Sequence, residues 1–343
     1  MKKIDFSKFY QPQLEHKPIN APKIINSSEI LNSVRIDLTR NYPEVNFLLE
    51  QNAIGCLSKG DIQAIKAKAK QGKTHAIICL EVALLKGSFV GLTAISDNIR
   101  ILHIDTEQNP LNVSKNARKV HRLCRWDETK NNDRFIALAL REYNTEKRCS
   151  IIEDAIREYN PDIVFIDGVR DLLRDFNSIE ESAQIMNLLL RLSKQYDVAL
   201  CCVLHENKAD GNMRGHLGTE LVNKCSETYK VQKDKFGTIS VEQSESRNAP
   251  INDWAFILDE NGIPKVAEPE HKLSQTEAKE QRIKENMQFL FQKNKEYQHA
   301  ELVKEYMEIS GIKERTACEH ISNALKKSLI NKKINGKYEL NFT

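Results

Sequence analysis

The 343-residue chain lacks long apolar runs, the cysteine spacing of metal-binding sites and a strong excess of charge of one sign. No apolar stretch approaches the roughly 20 residues that a membrane-spanning helix needs, and residues 1–5 carry no apolar signal core. The 8 cysteines form no CxxC pair and no cysteine–histidine spacing of a zinc site, and several lie in apolar segments. A net charge of +3 excludes a wholly basic surface. We therefore expect a cytoplasmic protein with reduced thiols, no metal cluster and no membrane contact.

Length and composition indicate a globular protein with more than one domain. Apolar residues make up 40% of the chain and charged residues 29%, which is typical of folded domains. A chain of this length exceeds one ordinary core. Changes of pattern predict an N-terminal arm or linker over 1–45, a large domain over 46–265, a linker over 266–275 and a smaller domain over 276–343.

The large domain has the alternating pattern of an α/β fold. Apolar strand-like runs alternate with helical patterns from about 55 to 260, which predicts a mostly parallel, twisted sheet covered by helices. The predicted strands are 62–66, 99–105, 135–140, 163–167 and 198–204. The predicted helices are 74–86, 109–123, 146–159 and 178–196. Three further strands, near 226–232, 236–243 and 254–258, look antiparallel, and a polar linker is expected from Glu260.

One segment has the spacing of a phosphate-binding loop. Residues 60–74 contain an apolar strand, a loop of small residues and lysines, and Gly72-Lys73-Thr74 at the start of a predicted helix. They match the P-loop pattern GxxxxGK[ST], except that Ala67 replaces its first glycine. Backbone N–H groups of such a loop bind phosphate oxygens together with the positive end of the helix. The candidate nucleotide-binding residues are Ala67, Lys68, Ala69, Lys70, Gln71, Gly72, Lys73, Thr74 and His75.

Two of these residues have specific expected roles. Lys73, which we expect to be exposed, would reach the terminal phosphates, and the Thr74 hydroxyl would ligate Mg²⁺. Alanine tolerates a positive φ poorly, so Ala67 predicts a slightly reshaped loop. The alternative interpretation is a lysine-rich surface turn that happens to contain Gly-Lys-Thr.

Carboxylates follow two of the predicted strands. The strand 163–167 ends in Asp167, which would hold the water shell of Mg²⁺ beside Thr74. The strand 99–105 is followed by Thr106 and Glu107, and the carboxyl ends of neighbouring parallel strands meet at the ligand-binding crevice. Glu107 is therefore the candidate general base that orients and deprotonates a water molecule. The alternative is a cluster that caps the helix after it.

A histidine ends another apolar strand at the same predicted edge. His205 is a candidate sensor of the terminal phosphate, which would relay its loss to the following loop. That loop, residues 207–218, is rich in glycine and cations. Lys208 and Arg214 are its candidate contacts to nucleic-acid phosphates. A merely solvated loop is an almost equal alternative.

The last seventy or so residues form a pattern of their own. Three predicted helices (276–293, 299–309 and 313–327) precede two short alternating runs joined by Asn335-Gly336, a strong hairpin signal. This order outlines a winged helix-turn-helix, and residues 310–343 carry seven Lys or Arg against three Glu. The candidate nucleic-acid contacts here are Lys313, Arg315, Lys326, Lys327, Lys332, Lys333 and Lys337. The alternative is a protein-docking domain whose lysines are only solvated.

The order of these motifs resembles the RecA-like ATPase core. Within that group the chain is most similar to the RepA-type hexameric replicative helicase ATPases of plasmids and mobile elements. The segment 214–221 resembles the stretch after their sensor strand, and 244–250 resembles their Lys-x-Arg-Asn-Gly-Pro segment. That resemblance makes Arg247 a candidate arginine finger for a neighbouring subunit, whereas Glu245 stands at the lysine position.

The resemblance covers about 55–260 and implies a function. It implies ATP hydrolysis with Mg²⁺, coupled to nucleic-acid binding by a ring-forming helicase or translocase in the replication or mobilisation of DNA. Single-stranded DNA would bind the ATPase core, duplex DNA would bind the winged helix, and the chain would form a homo-oligomer such as a hexamer. One alternative is a non-translocating ATP-dependent regulator or loader. Another is a DNA-binding scaffold with a decayed nucleotide site, suggested by Ala67 and Glu245.

Overall fold

The computed structural model describes residues 27–206, 215–269 and 275–341. The chain divides into two compact units, Met1–Pro269 and Glu270–Thr343. Across these described ranges, no helix is both long and apolar enough to cross a membrane.

The first unit contains helices and strands in alternation. Its helices are α1 (Ser27–Val34), α2 (Lys73–Lys86), α3 (Pro110–Cys124), α4 (Thr145–Tyr159), α5 (Ile179–Gln195) and α6 (Gly215–Lys224). Its strands are β1 (Phe47–Gln51), β2 (Ile54–Ser58), β3 (Ile62–Ala67), β4 (Ser88–Phe89), β5 (Leu92–Ala94), β6 (Ile101–Asp105), β7 (Phe135–Ala139), β8 (Ile163–Asp167), β9 (Ala199–His205), β10 (Glu227–Lys233), β11 (Ile239–Ser246), β12 (Trp254–Leu258) and β13 (Pro264–Ala267).

Within the described part of this unit, nine strands form one sheet in the order β13-β12-β11-β10-β3-β9-β8-β6-β7. The run from β10 to β7 is parallel throughout. The remaining pairings, from β10 out to β13, are antiparallel. The α/β class with a mostly parallel central sheet is therefore confirmed.

The central strands of the sheet are buried throughout, because other elements cover the sheet on both faces. Strands β3, β6 and β8 contain only buried residues. Ile101 packs in one apolar cluster with α2, whereas Leu102 and Ile104 pack in a second cluster with α4 and α5. Because side chains alternate along a strand, His103 and Asp105 lie on the α2 face with Ile101.

Three sequence expectations about strands were wrong or incomplete. Strand β10 pairs in parallel with β3 and is antiparallel only to β11, because α6 returns the chain to the edge of the sheet where β3 also begins. Strand β13 lies inside the expected polar linker and begins at Pro264. Proline lacks a backbone N–H group, and the first residue of an edge strand is a position where this is tolerated. The described residues also form a four-stranded antiparallel sheet, β2-β1-β5-β4, whose strands of two to five residues carry little periodic signal.

The second unit has its own small core. It contains helices α7 (Gln275–Lys293), α8 (His299–Ser310) and α9 (Glu314–Lys326), followed by strands β14 (Ile330–Lys332) and β15 (Tyr338–Leu340). The two strands pair antiparallel. The hairpin between them turns at Gly336, whose φ of 80° lies in the left-handed region that glycine tolerates. Leu290, Tyr306 and Ile321, one from each helix, pack together in the apolar core.

Candidate functional site

The phosphate-binding loop joins β3 to α2 without strain at Ala67. Ala67 is the buried last residue of β3 and pairs with His205 in the sheet. The left-handed backbone of the loop instead falls on Lys70, with φ 64°, and on Gly72, with φ 94°. The positive φ of Gly72 favours glycine there, and a Cβ atom would also lie 2.8 Å from Ile239 Cδ1. The reshaping expected from Ala67 does not occur, because a strand residue needs no positive φ.

Lys73 is buried rather than exposed, contrary to the sequence expectation. Only 9% of its surface is accessible, and its Nζ lies 3.0 Å from Nδ1 of His205. Burial lowers the pKa of Lys73, and the nearby carboxylates Asp167, Glu107 and Glu206 oppose that shift. A desolvated ammonium group in this position can donate hydrogen bonds to the anionic oxygens of a phosphate.

The Thr74 hydroxyl donates a 2.7 Å hydrogen bond to Oδ2 of Asp167. Asp167 is the buried last residue of β8, and burial raises its pKa to about 6. A hydroxyl and a carboxylate in contact are oxygen ligands of the kind that Mg²⁺ takes, with water and phosphate oxygens completing its shell. The residues present therefore fit a magnesium ion. No group of three or more His, Cys, Asp or Glu that could hold a metal occurs among the described residues.

Glu107 lies just beyond β6, in a turn that Asp105 holds. Oδ1 of Asp105 accepts hydrogen bonds from the backbone N–H groups of Glu107 and Gln108, at 2.9 and 2.7 Å. Gly168 packs so closely beneath this turn that a Cβ atom there would lie 2.3 Å from Thr106 Oγ1. The sequence did not assign these supporting roles to Asp105 and Gly168. They keep the Glu107 side chain, which is 45% exposed, at the mouth of the site.

His205, the last residue of β9, connects Lys73 with Glu107. Its Nδ1 faces the Lys73 ammonium, which can only donate, so the proton of a neutral ring lies on Nε2. Nε2 is 3.6 Å from Oε1 of Glu107. The neighbouring His205 ring lowers the pKa of Glu107, which favours the ionised carboxylate.

These groups face one cavity of about 380 Å³. The sequence-predicted residues that line it are Lys70, Gly72, Lys73, Thr74, His75, Glu107, Asp167 and His205. The lining also includes residues that the sequence did not single out: Gln108, Asn116, Lys233, Ile239 and Leu258. The other loop candidates, Ala67, Lys68, Ala69 and Gln71, do not line the cavity. Gln71 instead accepts a 2.5 Å hydrogen bond from the backbone of Lys233, which ties the loop to β10.

His75 lines the cavity and contacts α3. Its Nε2 is 3.2 Å from Nζ of Lys119. Burial, followed by the charge of Lys119, lowers the pKa of His75 to about 4, so the ring is neutral at physiological pH. Lys119 and Asn116 come from α3, and their distance along the chain from the loop explains why local patterns did not reveal them.

Arg247 does not line this cavity. It follows β11, whose last residue, Ser246, pairs with Glu227, the first residue of β10. Arg247 therefore lies at the amino edge of the parallel strands, opposite the edge that carries Thr74. Its Nη2 donates a 2.8 Å hydrogen bond to the carbonyl oxygen of Asn223. Glu245, nearby, lies 3.8 Å from Nζ of Lys66.

The other candidate cations differ in their surroundings. Lys208 and Arg214 lie outside the described residues. In the second unit, three candidate lysines pair with carboxylates: Lys327 with Glu280, Lys333 with Glu296 and Glu339, and Lys337 with Glu296. Lys332 lies over the Tyr338 ring, 5.6 Å from its centroid. Lys313, Arg315 and Lys326 are exposed.

A comparison with protein families identifies the large domain. A family model described as AAA domain matches residues 29–211, more than half of the chain. The chain belongs to the AAA domain family. The match spans the loop at 67–74, the strand ends at Asp167 and His205, and Glu107, so this AAA domain is a P-loop ATPase domain that hydrolyses nucleotide. A search of curated proteins found no match.

Proposed function

We propose that this AAA domain hydrolyses ATP with Mg²⁺ and couples hydrolysis to nucleic-acid binding, as a ring-forming helicase or translocase. The observation that carries the proposal is the position of His205 between Lys73 and Glu107. One imidazole touches the P-loop lysine and lies beside the carboxylate at the mouth of the cavity. The group that would bind phosphate and the group that would activate water are thus adjacent.

Four side chains of the cavity have roles in this reaction. Lys73 and the backbone N–H groups of the loop bind the phosphates, while Thr74 and Asp167 hold the metal. Bound Mg²⁺ would neutralise charge that develops on the phosphate oxygens. Glu107 orients a water molecule and accepts its proton as the water attacks phosphorus. Positioning and charge stabilisation provide most of the rate in phosphoryl transfer.

His205 gives the domain a means of sensing the terminal phosphate. A phosphate that binds Lys73 competes with His205 for the same ammonium group, because both side chains line the same confined cavity. Release of the phosphate restores the contact between Lys73 and His205. The chain continues from His205 into the loop with Lys208 and Arg214, which we propose as contacts to single-stranded DNA.

The position of Arg247 supports a shared site in an oligomer. Arg247 lies at the opposite edge of the sheet from its own Thr74, so it could complete only the site of a neighbour. A homo-oligomeric ring, such as a hexamer, would bring it there. The turnover rate would then depend on assembly, because the transition state would lack one cation in the isolated subunit.

We further propose that the second unit is a winged-helix domain that binds duplex DNA. Three helices followed by a hairpin support that assignment. The lysines paired with Glu280, Glu296 and Glu339 are partly neutralised within the chain. Contacts to phosphates would therefore come mainly from Lys313, Arg315 and Lys326, and from Lys332 on β14.

A non-translocating regulator or loader is the second candidate function. It would use the same cavity and the same cations, but it would not move along DNA. The decayed-site interpretation has less support, because Ala67 fits its strand and Lys73, Thr74, Glu107 and Asp167 converge on the cavity. Replication or mobilisation of a plasmid or mobile element is proposed from the RepA-type resemblance alone.

One set of measurements tests the proposal. We expect ATP turnover that requires Mg²⁺, rises with single-stranded DNA and accompanies an oligomer detected by light scattering. A forked duplex should be unwound in the presence of ATP. Turnover without strand displacement would favour the regulator, and failure to bind labelled ATP would favour the scaffold.

A further inference from the structure

A buried ion pair joins the P-loop helix to the centre of the sheet. His103 in β6 and Glu81 in α2 lie with Nδ1 and Oε1 2.6 Å apart. The two side chains are only 4% and 1% exposed. Ile101 and Phe165 flank them in the apolar core on this face of the sheet. Neither residue lines the nucleotide cavity.

Stability alone does not explain this pair. Removing two charges from water costs several kcal/mol per ion, and well-packed apolar replacements of a buried pair are often neutral or stabilising. In addition, Oε2 of Glu81 has no hydrogen-bond partner among the described residues, which adds a further cost. A purely structural requirement at this place would be met as well by two apolar side chains.

The position of the pair relative to the site indicates its role. Glu81 follows Thr74 by seven residues, which is two helical turns, so the two lie on the same face of α2 and about 10 Å apart along its axis. Thr74 contacts Asp167 at the end of β8, and Glu81 contacts His103 in β6. On this face of α2, directional polar contacts to the sheet occur at Thr74 and at Glu81.

Between those two points, the same face of α2 carries apolar side chains. Ile77 and Ile78 are fully buried in the apolar core, and apolar burial depends on area rather than on orientation. Such packing tolerates a small rotation or sliding of the helix. A single hydrogen-bonded ion pair fixes helix register more strictly, as single buried polar residues do in coiled coils.

We propose that His103 and Glu81 are positioning residues, which set the register of α2 and so place Lys73 and Thr74 opposite Glu107 and Asp167. The inference rests on the proposed ATP hydrolysis and not on coupling to DNA. It requires that loss of the pair lowers turnover while the fold and nucleotide affinity remain. A displacement of about 1 Å at a reacting centre can reduce rate by about 10²-fold.

The test replaces both charges with apolar side chains of similar size. The double variant His103→Leu/Glu81→Met should unfold at the same temperature as the wild type or above it. Its kcat should fall by about 10-fold or more, with a much smaller change in KM. The matched control is Glu81→Gln, which keeps the hydrogen bond from the ring and removes the charge. It should retain most of the wild-type kcat.

Each other outcome has a defined meaning. A folded double variant with wild-type kcat would overturn the inference, and so would a Glu81→Gln variant that loses as much activity as the double variant. If the double variant does not fold, Glu81→Met alone, which leaves a neutral imidazole, should show the fall in kcat, and unchanged turnover there would also overturn it. A wild-type protein without turnover would instead remove the proposed function, together with this inference.

Discussion

The ammonium group of Lys73 lies 3.0 Å from Nδ1 of His205. This contact places a buried cation of the P-loop helix against the end of β9. The same imidazole ring faces Glu107 with its other nitrogen, at 3.6 Å. The arrangement links phosphate binding, water activation and the loop after β9 through one side chain, and its members can be altered one at a time.

The variant Lys73→Ala should lose turnover without loss of the fold. Removing one preorganised donor to the transition state typically costs about 10²- to 10³-fold in rate. The unfolding midpoint without nucleotide should stay close to that of the wild type, because loss of the buried side-chain stem is offset by removal of a desolvated charge. Turnover and thermal unfolding are measured together, with the exposed Lys115→Ala on α3 as control. Near-normal turnover in Lys73→Ala would refute the P-loop assignment.

The variant Glu107→Gln should bind ATP but hydrolyse it slowly. The amide keeps the shape of the side chain and loses the general base, an effect of about 10²- to 10⁴-fold. Affinity for a fluorescent nucleotide and turnover are measured separately. Glu142→Gln, an exposed carboxylate after β7, serves as the control. If Glu107→Gln hydrolyses ATP at the normal rate, Glu107 is only a part of the turn before α3.

Arg247→Ala should reduce turnover far more than ATP affinity if the residue acts in a neighbouring subunit. Arginine fingers contribute about 10³ to 10⁵ in rate. The decisive experiment mixes Arg247→Ala with Lys73→Ala, since each inactive protein supplies one intact half of some shared sites. The mixture should regain part of the activity. The exposed Arg157→Ala on α4 is the control for loss of a surface arginine.

Co-assembly of the two proteins is checked by light scattering. Mixtures that assemble and show no recovery would argue against a shared site. Arg247 would then be a surface residue that contacts the Asn223 carbonyl, and the regulator would become the preferred function.

Duplex DNA binding by the full chain should depend on the exposed cations of α9, Arg315 and Lys326, more than on the paired lysines of the hairpin. Arg315→Ala and Lys326→Ala should each reduce the slope of log affinity against log salt by roughly 0.9 per lost phosphate contact. Lys333→Ala should have a smaller effect, because that lysine already pairs with Glu296 and Glu339. A labelled duplex titrated at several salt concentrations, without ATP, measures this. If the wild type does not bind even at low salt, the unit is a protein-docking domain.

The His103–Glu81 pair should make stability depend on alkaline pH. Burial alone would lower the pKa of His103, but the Glu81 carboxylate, with smaller contributions from Asp167 and Asp105, raises it to about 9. A histidine whose pKa is raised by folding contributes its full stabilisation at pH values below the pKa that it has in the unfolded chain, near 6.5. This contribution is lost as the pH rises through its pKa in the folded protein, about 9. The temperature at the unfolding midpoint of the wild type should therefore decrease as the pH is raised from 7 to 10.

The variant His103→Leu/Glu81→Met provides the comparison for that titration. Lysines, tyrosines and cysteines titrate in the same range in both proteins, so their effects cancel in the difference. The midpoint of the variant should fall less than that of the wild type over this interval. Equal slopes would show that His103 is neutral in the folded protein.

The α/β class of the large domain and most of its elements were predictable because their signals are local. Continuous apolar runs predicted β6, β8 and β9 nearly to the residue, and the Gly72-Lys73-Thr74 triplet marked the start of α2. The strands of the four-stranded sheet, from Phe47 to Ala94, were missed. They are short, and their burial depends on contacts with α2 and with each other rather than on a repeating pattern.

What the sequence by itself determined is which chemical groups follow each buried strand: lysine and threonine after β3, glutamate after β6, aspartate at the end of β8 and histidine at the end of β9. Only the tertiary structure decided which of them meet. Strand order places β9 between β3 and β8, so His205 reaches Lys73, while antiparallel pairing sends Arg247 to the opposite edge. Pairing depends on hydrogen bonds between residues far apart in the chain, and local periodicity carries no record of those partners.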